Sequence, residues 1–302
     1  MIINNKSIDD SKINALVEDV KKKKEIAGVK EEFIVNEIIK YLKQNSRALA
    51  KIIESKSHNE LKRSKEYKKI IKEIRKVLHK VTGAYQTGNI KDRDKLLKEL
   101  ENSLKNNNFN DFIEIHKKLL STNTSTRERL EIYPALYKEI FSITGIPKSI
   151  LDLGAGINPV SFPWFNFGSI EYYVYELNKN DCKFLEKYFD LMKKHTNLKG
   201  KAEVLDLLKI KEVIFPKTDI CFLFKVLEPL ELSTKHKISE ELLKKIKSRF
   251  IVVSFATRTM AKRAMNYEKR GWFEKMLQRN GYKFDNIIKE NETFYIIRNI
   301  SQ

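Results

Sequence analysis

A short apolar run followed by a glycine-containing turn, residues 149–159, constrains the fold of this 302-residue chain more than any other segment. Residues 150–153 have the continuous apolar character of a buried parallel strand. Gly154 and Gly156 follow, and an Asn-Pro pair opens the next element. Glycine lets a backbone turn sharply and approach a ligand closely, although Gly-x-Gly is also common in ordinary strand-to-helix turns.

A second predicted strand favours a nucleotide site over an ordinary turn. Residues 170–176 are rich in β-branched and aromatic residues and end at Glu176, 22 positions after Gly154. In nucleotide-binding βαβ units an acidic residue at about this spacing hydrogen-bonds the ribose hydroxyls. A carboxylate can accept from two adjacent hydroxyls at once. We therefore expect Glu176 to bind ribose, the alternative being a solvated charge at a strand end.

Strand and helix patterns alternate through the second half of the chain, which predicts an α/β fold with a doubly wound sheet and ligands at the carboxyl ends of its strands. Helices are predicted from about Asn158, from Asn178 and over 265–280. The last two strands, separated by four polar residues, indicate an antiparallel hairpin. The predicted strands are 149–153, 170–176, 202–205, 219–224, 250–255, 282–288 and 293–298.

The sequence of the first half of the chain predicts an almost entirely helical structure. Apolar residues recur at three- and four-residue steps over 29–42, 67–81 and 94–104. We predict a helical extension of unknown role at 1–60, a basic helical domain at 61–145 and the α/β domain at 146–302.

An excess of positive charge suggests an anionic partner. The chain holds 59 Lys and Arg against 40 Asp and Glu, a net charge of +19. A phosphate backbone is the commonest partner for such an excess, although Lys- and Ile-rich residue usage alone is the simpler alternative. Residues 61–80 are the densest stretch, with nine basic residues against two Glu. Its candidates for RNA phosphate contact, otherwise a solvated helix face, are Lys62, Arg63, Lys68, Lys69, Lys72, Arg75, Lys76 and Lys80.

Other functional classes find little support in the sequence. No stretch approaches 18 uninterrupted apolar residues, and the first residues lack a signal-peptide pattern. Cys182 and Cys221 have no metal-site spacing and are predicted to be reduced core residues, and the five histidines form no HExxH pair. We expect a cytoplasmic protein that binds neither a metal nor a membrane.

Four segments of the sequence carry a resemblance to a known family, namely 121–130 (STNTSTRERL), 150–159 (ILDLGAGINP), 220–230 (ICFLFKVLEPL) and 251–255 (IVVSF). They are similar to segments of the aminoglycoside-resistance 16S rRNA (guanine-N7) methyltransferases of the Arm/Kgm/FmrO group. The resemblance covers roughly residues 70–299, and 78–85 also looks like the helical domain of that family. Two departures, Ala256 and Pro229, lie beside the expected base pocket and bear on the target nucleotide.

The resemblance implies a class I, Rossmann-like S-adenosylmethionine methyltransferase sheet with an all-helical N-terminal domain, and it assigns the cofactor contacts. Arg129 would pair with the methionine carboxylate, although without the resemblance it reads as a helix-surface arginine. Asp206 would accept from the adenine amino group or cap a helix over 207–211, and both roles can hold. The residues assigned to the cofactor loop are Asp152, Gly154, Ala155 and Gly156.

The expected reaction needs no general base, because guanine N7 carries a lone pair and no proton at neutral pH. We therefore expect a mechanism of alignment and positioning with no catalytic side chain. Base-pocket candidates are Lys225, Glu228 and Trp272, with core packing equally probable for Trp272 and favoured for Phe273. Residues predicted to contact RNA phosphates after the fifth strand are Arg258, Lys262 and Arg263.

The predicted function is therefore methylation of guanine N7 in 16S ribosomal RNA by a monomer, with the assembled 30S subunit as its partner. Transfer RNA or another structured RNA is the alternative substrate. A second alternative is a non-catalytic RNA-binding protein with a vestigial cofactor pocket. A small-molecule methyltransferase would leave the basic excess unexplained.

Overall fold

The computed structural model describes residues 1–23, 26–81, 92–165, 168–231, 237–258 and 269–299. The chain forms two compact units, Met1–Ala84 and Tyr85–Gln302. Among the described residues, no helix combines the length and the apolar character that crossing a bilayer requires. The three segments expected at 1–60, 61–145 and 146–302 stay a prediction, because they were defined by function rather than by compactness.

The described residues of the first unit form a small antiparallel ribbon and five helices. The last of these helices matches the prediction for 67–81 closely, and the helix predicted at 29–42 begins and ends two residues later than predicted. The elements are β1 (Ile2–Ile3), β2 (Lys6–Ser7), α1 (Asp10–Lys21), α2 (Glu31–Gln44), α3 (Ser46–Glu54), α4 (His58–Arg63) and α5 (Lys65–Val81).

Helix α5 is amphipathic. Tyr67, Ile70, Ile74 and Leu78 recur at three- and four-residue steps and are buried. The Tyr67 hydroxyl donates to Asp19 Oδ2 on α1 at 2.7 Å. The apolar stripe therefore anchors α5 to its unit and leaves lysines on the remaining faces of the helix.

The described part of the second unit, from residue 92 onward, begins with four helices and continues into an alternating α/β segment. The elements are α6 (Arg93–Lys105), α7 (Phe109–Leu120), α8 (Thr124–Glu128), α9 (Tyr133–Thr144), β3 (Ser149–Leu153), a 3₁₀ helix (Asn158–Phe165), β4 (Ile170–Glu176), α10 (Lys179–His195), β5 (Leu198–Val204), a second 3₁₀ helix (Leu207–Glu212), β6 (Ile220–Phe224), α11 (Leu227–Leu230), α12 (Lys237–Lys245), β7 (Phe250–Ala256), α13 (Gly271–Arg279), β8 (Lys283–Lys289) and β9 (Glu292–Arg298).

The strands form one seven-stranded sheet in the order β5-β4-β3-β6-β7-β9-β8. The first five strands pair in parallel, and β9 pairs antiparallel with both β7 and β8, which confirms the predicted hairpin. Hydrophobic clusters pack on both faces. The carboxyl ends of β3, β4 and β6 therefore meet at one edge of the sheet.

Three local predictions needed correction. The helix predicted from about Asn158 is a 3₁₀ helix rather than an α-helix, because Pro163 in its interior cannot donate to an α-helical ladder. The helix predicted over 265–280 is α13, Gly271–Arg279, and residues 259–268 lie outside the described residues. Strand β5 begins at Leu198 rather than at 202. Only Leu198 and Ala202 are fully buried in it, and Lys199 and Lys201 are exposed, since β5 lies at the sheet edge.

Gly200 in β5 is packed directly under α10, which predicts a strong effect of a single added methyl group. A Cβ at this position would lie 2.2 Å from Phe189 Cδ1. We expect Gly200→Ala to lower the free energy of unfolding by about 1–3 kcal/mol through overpacking, measured by urea denaturation. Gly168→Ala is the matched control, because no atom lies within 4 Å of its added Cβ. Equal stabilities of the two variants would contradict this packing.

Candidate active site

The turn after β3 can be made only by glycine at two positions. Gly154 has φ +67° and its N–H donates to the Tyr175 carbonyl at the end of β4, at 2.7 Å. A Cβ on Gly154 would lie 2.8 Å from Val226 Cγ2, and Gly156 has φ +54°. Both the backbone conformation and the lack of space therefore require glycine. The result is a tight glycine loop at the carboxyl end of the central strand.

Asp152 is buried beneath this loop. Its Oδ2 accepts from the Asn158 amide at 2.9 Å and from the Tyr172 hydroxyl at 2.7 Å. Its Oδ1 is buried and has no hydrogen-bond partner among the described residues. Burial raises the pKa of Asp152 to about 6, although the two donors oppose the shift. A buried acceptor without a donor is an uncommon feature that a bound cation or N–H group would satisfy.

Glu176 lies at the end of β4, as predicted, but it is buried rather than solvated. Its two oxygens accept from the backbone N–H groups of Gly156 and Asn178, each at 2.9 Å. Burial and the nearby charge of Asp181 raise the pKa of Glu176 to about 7, against the opposing effect of these hydrogen bonds. The carboxylate therefore stabilises the glycine loop through a hydrogen bond. It also lies at the end of β4, where we predicted an acceptor for the ribose hydroxyls.

Asp206 follows β5 and caps the second 3₁₀ helix. Its Oδ1 accepts from the Leu208 N–H at 2.9 Å, which confirms the capping role. The side chain is partly exposed, and the adenine contact stays a prediction.

A buried ion cluster joins four elements, α8, β6, β7 and β9, near the carboxyl ends of β6 and β7. Arg129, only 2% exposed, donates to Glu292 through Nε at 2.9 Å and through Nη2 at 2.8 Å, in a forked pair. Lys225 Nζ lies 3.3 Å from Glu292 and 2.7 Å from the exposed Glu128, and Ser254 Oγ donates to Glu292. Arg129, Lys225, Ser254 and Glu292 together form what we term the buried ion cluster.

The two cations keep Glu292 ionised in the interior. Burial favours the neutral acid, but the charges of Arg129 and Lys225 outweigh it and lower the pKa of Glu292. Burial likewise opposes the charge on Arg129, and Glu292 overcomes this effect and raises the pKa of Arg129. Arg129 is thus not a helix-surface residue. A cofactor carboxylate would have to share its guanidinium with Glu292.

Lys225 has an unusual backbone. Its φ is +59°, and its N–H donates to both the carbonyl and the hydroxyl of Ser254, at 3.1 and 3.0 Å. Non-glycine residues with positive φ store strain and occur preferentially at functional sites. The strain turns the Lys225 side chain into the ion cluster directly after β6.

The other base-pocket candidates lie near one arginine. Glu228 is partly exposed and pairs with Arg270 Nε at 2.7 Å. Phe273 is fully buried, which confirms core packing. Trp272 is half-buried and contacts Phe255 and Phe273 edge to face, with centroids 5.8 and 5.4 Å apart. Trp272 therefore contributes to the core, and its role at a base stays a prediction.

The predicted RNA-contacting residues differ in how freely they can reach a phosphate. Arg75 is tied to the C-terminal carbonyls of α1, and Lys62 pairs with Asp19 at 3.1 Å. Arg258 pairs with Glu290 at 2.7 Å but is exposed. Lys262, Arg263 and the side chain of Lys80 lie outside the described residues. The remaining exposed candidates are Arg63, Lys68, Lys69, Lys72 and Lys76.

Sequence reasoning missed Glu292, Asn123 and Arg93, all of which are buried. Glu292 opens a strand that is otherwise apolar, and an acidic residue beside a buried run was its only signal. Asn123 caps α8, and its amide lies 3.2 Å from where a Gly156 Cβ would be. Arg93 pairs with Asp181 across 88 positions, a contact that no local pattern reveals.

The buried ion cluster predicts a large stability effect for a neutral substitution. Glu292→Gln leaves the charges of Arg129 and Lys225 without their carboxylate, so we expect a loss of about 3–5 kcal/mol in the free energy of unfolding. Urea denaturation at pH 7 measures it. The control is Glu290→Gln, since the exposed Glu290–Arg258 pair contributes little. A Glu292→Gln variant as stable as this control would disprove the charge balance described above.

Comparison with known proteins supports the fold and identifies the family. The chain is 26% identical over 231 residues to the 16S rRNA (guanine(1405)-N(7))-methyltransferase of Frankia casuarinae, covering 76% of this chain and 79% of that protein. It is 28% identical over 211 residues to the protein of the same name from Proteus mirabilis, covering 67% and 73%.

Among solved structures, 16S rRNA methyltransferase RmtF in complex with S-adenosyl-L-homocysteine aligns with a TM-score of 0.69 at 19% identity, covering 97% of this chain and all of that one. The 16S rRNA methylase RmtB aligns with a TM-score of 0.63 at 20% identity, covering 95% and 98%. These likenesses confirm the predicted fold. The profile of the family described as Ribosomal RNA methyltransferase (FmrO) matches residues 40–296, beginning about 30 residues before the predicted resemblance, and the chain therefore belongs to this family.

Proposed function

We propose that this chain transfers the methyl group of S-adenosylmethionine to N7 of a guanine in 16S ribosomal RNA. The family match over residues 40–296 carries the proposal. The relatives from Frankia casuarinae and Proteus mirabilis, named for this reaction at guanine 1405, support the same base and atom. We further propose that the chain acts as a cytoplasmic monomer on the assembled 30S subunit.

The loop after β3 fits this methyl donor. The absence of side chains at Gly154 and Gly156 lets the loop turn tightly against Val226 and Asn123, and its backbone would line the methionine and ribose portions together with Ala155. The unpartnered Oδ1 of Asp152 is available to the α-ammonium group. Glu176 would accept from the ribose hydroxyls while it retains its bonds to the loop.

Two further residues complete the proposed cofactor site. Asp206 would accept from the adenine amino group in addition to capping the 3₁₀ helix. Arg129 would bind the methionine carboxylate while it remains paired with Glu292. The ion cluster would then hold the Arg129 guanidinium in place.

When bound, the donor supplies an electrophilic methyl group on a sulfonium, and the protein aligns this methyl group with the target base. Guanine N7 would accept the methyl group through its lone pair while the methyl–sulfur bond breaks and S-adenosylhomocysteine leaves, so no residue would have to remove a proton. The buried carboxylates and the ion cluster of this site are rigid, hydrogen-bonded groups, which suits an alignment mechanism. We accordingly assign no general base.

We place the target guanine at the carboxyl end of β6. Lys225, held between Glu128 and Glu292, presents its cation near this edge, and guanine offers O6 as an acceptor next to N7. Glu228 and the half-buried Trp272 would border the same base. Arg258, Lys262 and Arg263 follow β7, where they would contact the phosphates on either side of it.

Methyl transfer to defined RNAs tests the proposed function. Purified protein is incubated with tritiated S-adenosylmethionine and either 30S subunits, naked 16S RNA or bulk tRNA. The labelled RNA is then treated with borohydride and aniline, which cleave at 7-methylguanosine. We expect label on 30S subunits and one cleavage site in 16S RNA. Gly154→Ala should abolish the label, because its Cβ overlaps Val226 and its φ is strained.

The other outcomes separate the alternatives. Label on tRNA, or label without aniline cleavage, would retain the methyltransferase and reject the proposed target. Salt-sensitive RNA binding without any label or cofactor binding would instead indicate a non-catalytic RNA-binding protein.

Exposed lysines on α5 predict a salt-dependent RNA interaction. Lys68, Lys69 and Lys72 are exposed along this helix. Replacing all three by Ala should weaken binding to 30S subunits and reduce the slope of log K against log salt by about 2, at about 0.7 per lost phosphate contact. Filter binding at several salt concentrations measures the slope.

The control removes the same charge from a different helix, α6. Lys95, Lys98 and Lys105 are also exposed, and their triple Ala variant should change the slope by much less. Equal slopes for the two triple variants would mean that only net charge matters.

A further inference from the structure

We propose that Arg93 is a positioning residue for the ribose site, which keeps Glu176 able to accept from the ribose hydroxyls by neutralising Asp181. The inference rests on the proposed function, because it assumes that the ribose of S-adenosylmethionine binds at Glu176. Arg93 itself touches neither the glycine loop nor the proposed cofactor site. Its effect would pass through α10.

Arg93 is a buried cation at the start of α6 that donates through Nε and Nη1, while its buried Nη2 has no hydrogen-bond partner among the described residues. It is 4% exposed, and its Nη1 donates to Asp181 Oδ1 at 2.5 Å. Its Nε donates to Thr122 Oγ1 at 2.8 Å, and its guanidinium lies 5.1 Å from the centre of the Phe184 ring. One arginine thus connects α6, the end of α7 and two successive turns of α10.

Asp181 connects this arginine to the ribose site. It lies in the first turn of α10, whose N-cap is Asn178. The Asn178 backbone N–H donates to Glu176 Oε1 at 2.9 Å, while Glu176 Oε2 accepts from Gly156. Glu176 and Asp181 are therefore two buried carboxylates around the same helix N-terminus, and an arginine faces only one of them.

The charges around Glu176 make the arginine necessary. On α10, Asp181 disfavours a second negative charge, and burial raises the pKa of the Cys182 thiol to about 12, so that Cys182 stays neutral. Glu186 lies one turn further along the same helix. Arg93 on α6 is the cation among the described residues that pairs with this group. Without Arg93, the negative charge of Asp181 would have no paired cation and would repel a negative charge on Glu176 more strongly. The pKa of Glu176 would therefore rise further.

A stability role alone does not explain a buried ion pair here. Replacing a buried pair by apolar residues of similar volume is often neutral or stabilising, whereas removing one partner is costly. Burying the Arg93–Asp181 pair requires the desolvation of two charges. We infer that the pair also affects the charge state of Glu176, which accepts hydrogen bonds from the loop that we assign to the cofactor. The expected signature is therefore a change in the pH dependence of ligand binding.

The experiment measures S-adenosylhomocysteine binding by calorimetry between pH 5.5 and 8.5. Wild-type affinity should fall below a midpoint near pH 7, where Glu176 takes up its proton. Arg93→Met should move this midpoint upward by about one pH unit, so that binding weakens about tenfold at pH 6 and less than about twofold at pH 8.5. Arg93→Lys, which keeps the charge, should keep the wild-type midpoint.

A double variant separates charge from packing. Arg93→Met with Asp181→Asn removes both charges, and its midpoint should return to the wild-type value or below. It also provides a testable protein if Arg93→Met alone does not fold. Affinity reduced equally at every pH, or an unmoved midpoint in Arg93→Met, would show a merely structural role and overturn the inference. Failure of the wild-type protein to bind S-adenosylhomocysteine would instead reject the proposed function.

Discussion

The carboxylate of Glu292, buried between Arg129 and Lys225, holds together the edge of the sheet where the proposed site lies. It contacts the segment after α8, the residue that follows β6 and Ser254 in β7. Glu292 pairs with Ala256 in the antiparallel register of β9 against β7. A slip of one residue would put a Thr hydroxyl in its place and leave two cations buried without a carboxylate. The charge balance of the site therefore depends on the correct register of β9 against β7.

The acids beneath the glycine loop show a conflict between stability and function. Burial raises the pKa of Glu176 from 4.5 to about 7, so the folded chain binds this proton more tightly than the unfolded chain does. The contribution of Glu176 to stability is therefore greatest below pH 4.5 and is lost as the pH rises through 7. A ribose site needs the ionised form as an acceptor. The protein thus keeps an acid where its charge is unfavourable, which is typical of binding sites.

Short-range patterns predicted much of this arrangement. The bounds of β3 and β4 were predicted to the residue, and Asn178 and Asp206 cap the helical segments that follow them. These features depend on neighbours within a few positions, where backbone hydrogen bonding and hydrophobic alternation act directly. The prediction was wrong for the element after Gly156 and for the start of β5. The interior proline Pro163 and the position of β5 at the sheet edge changed the local outcome there.

The sequence by itself determined the strand–glycine–strand unit, the acid at the end of β4, the charge excess and the family resemblance. Each is a property of residue type and close spacing. Only the tertiary structure decided that Arg129 is buried against Glu292, 163 positions away, and that Arg93 faces Asp181 across 88 positions. The physical reason is that the residues next to a charged side chain in the sequence do not indicate which opposite charge it will contact. Which opposite charge it meets depends on how the helices and strands pack, and burial then decides how strongly the two interact.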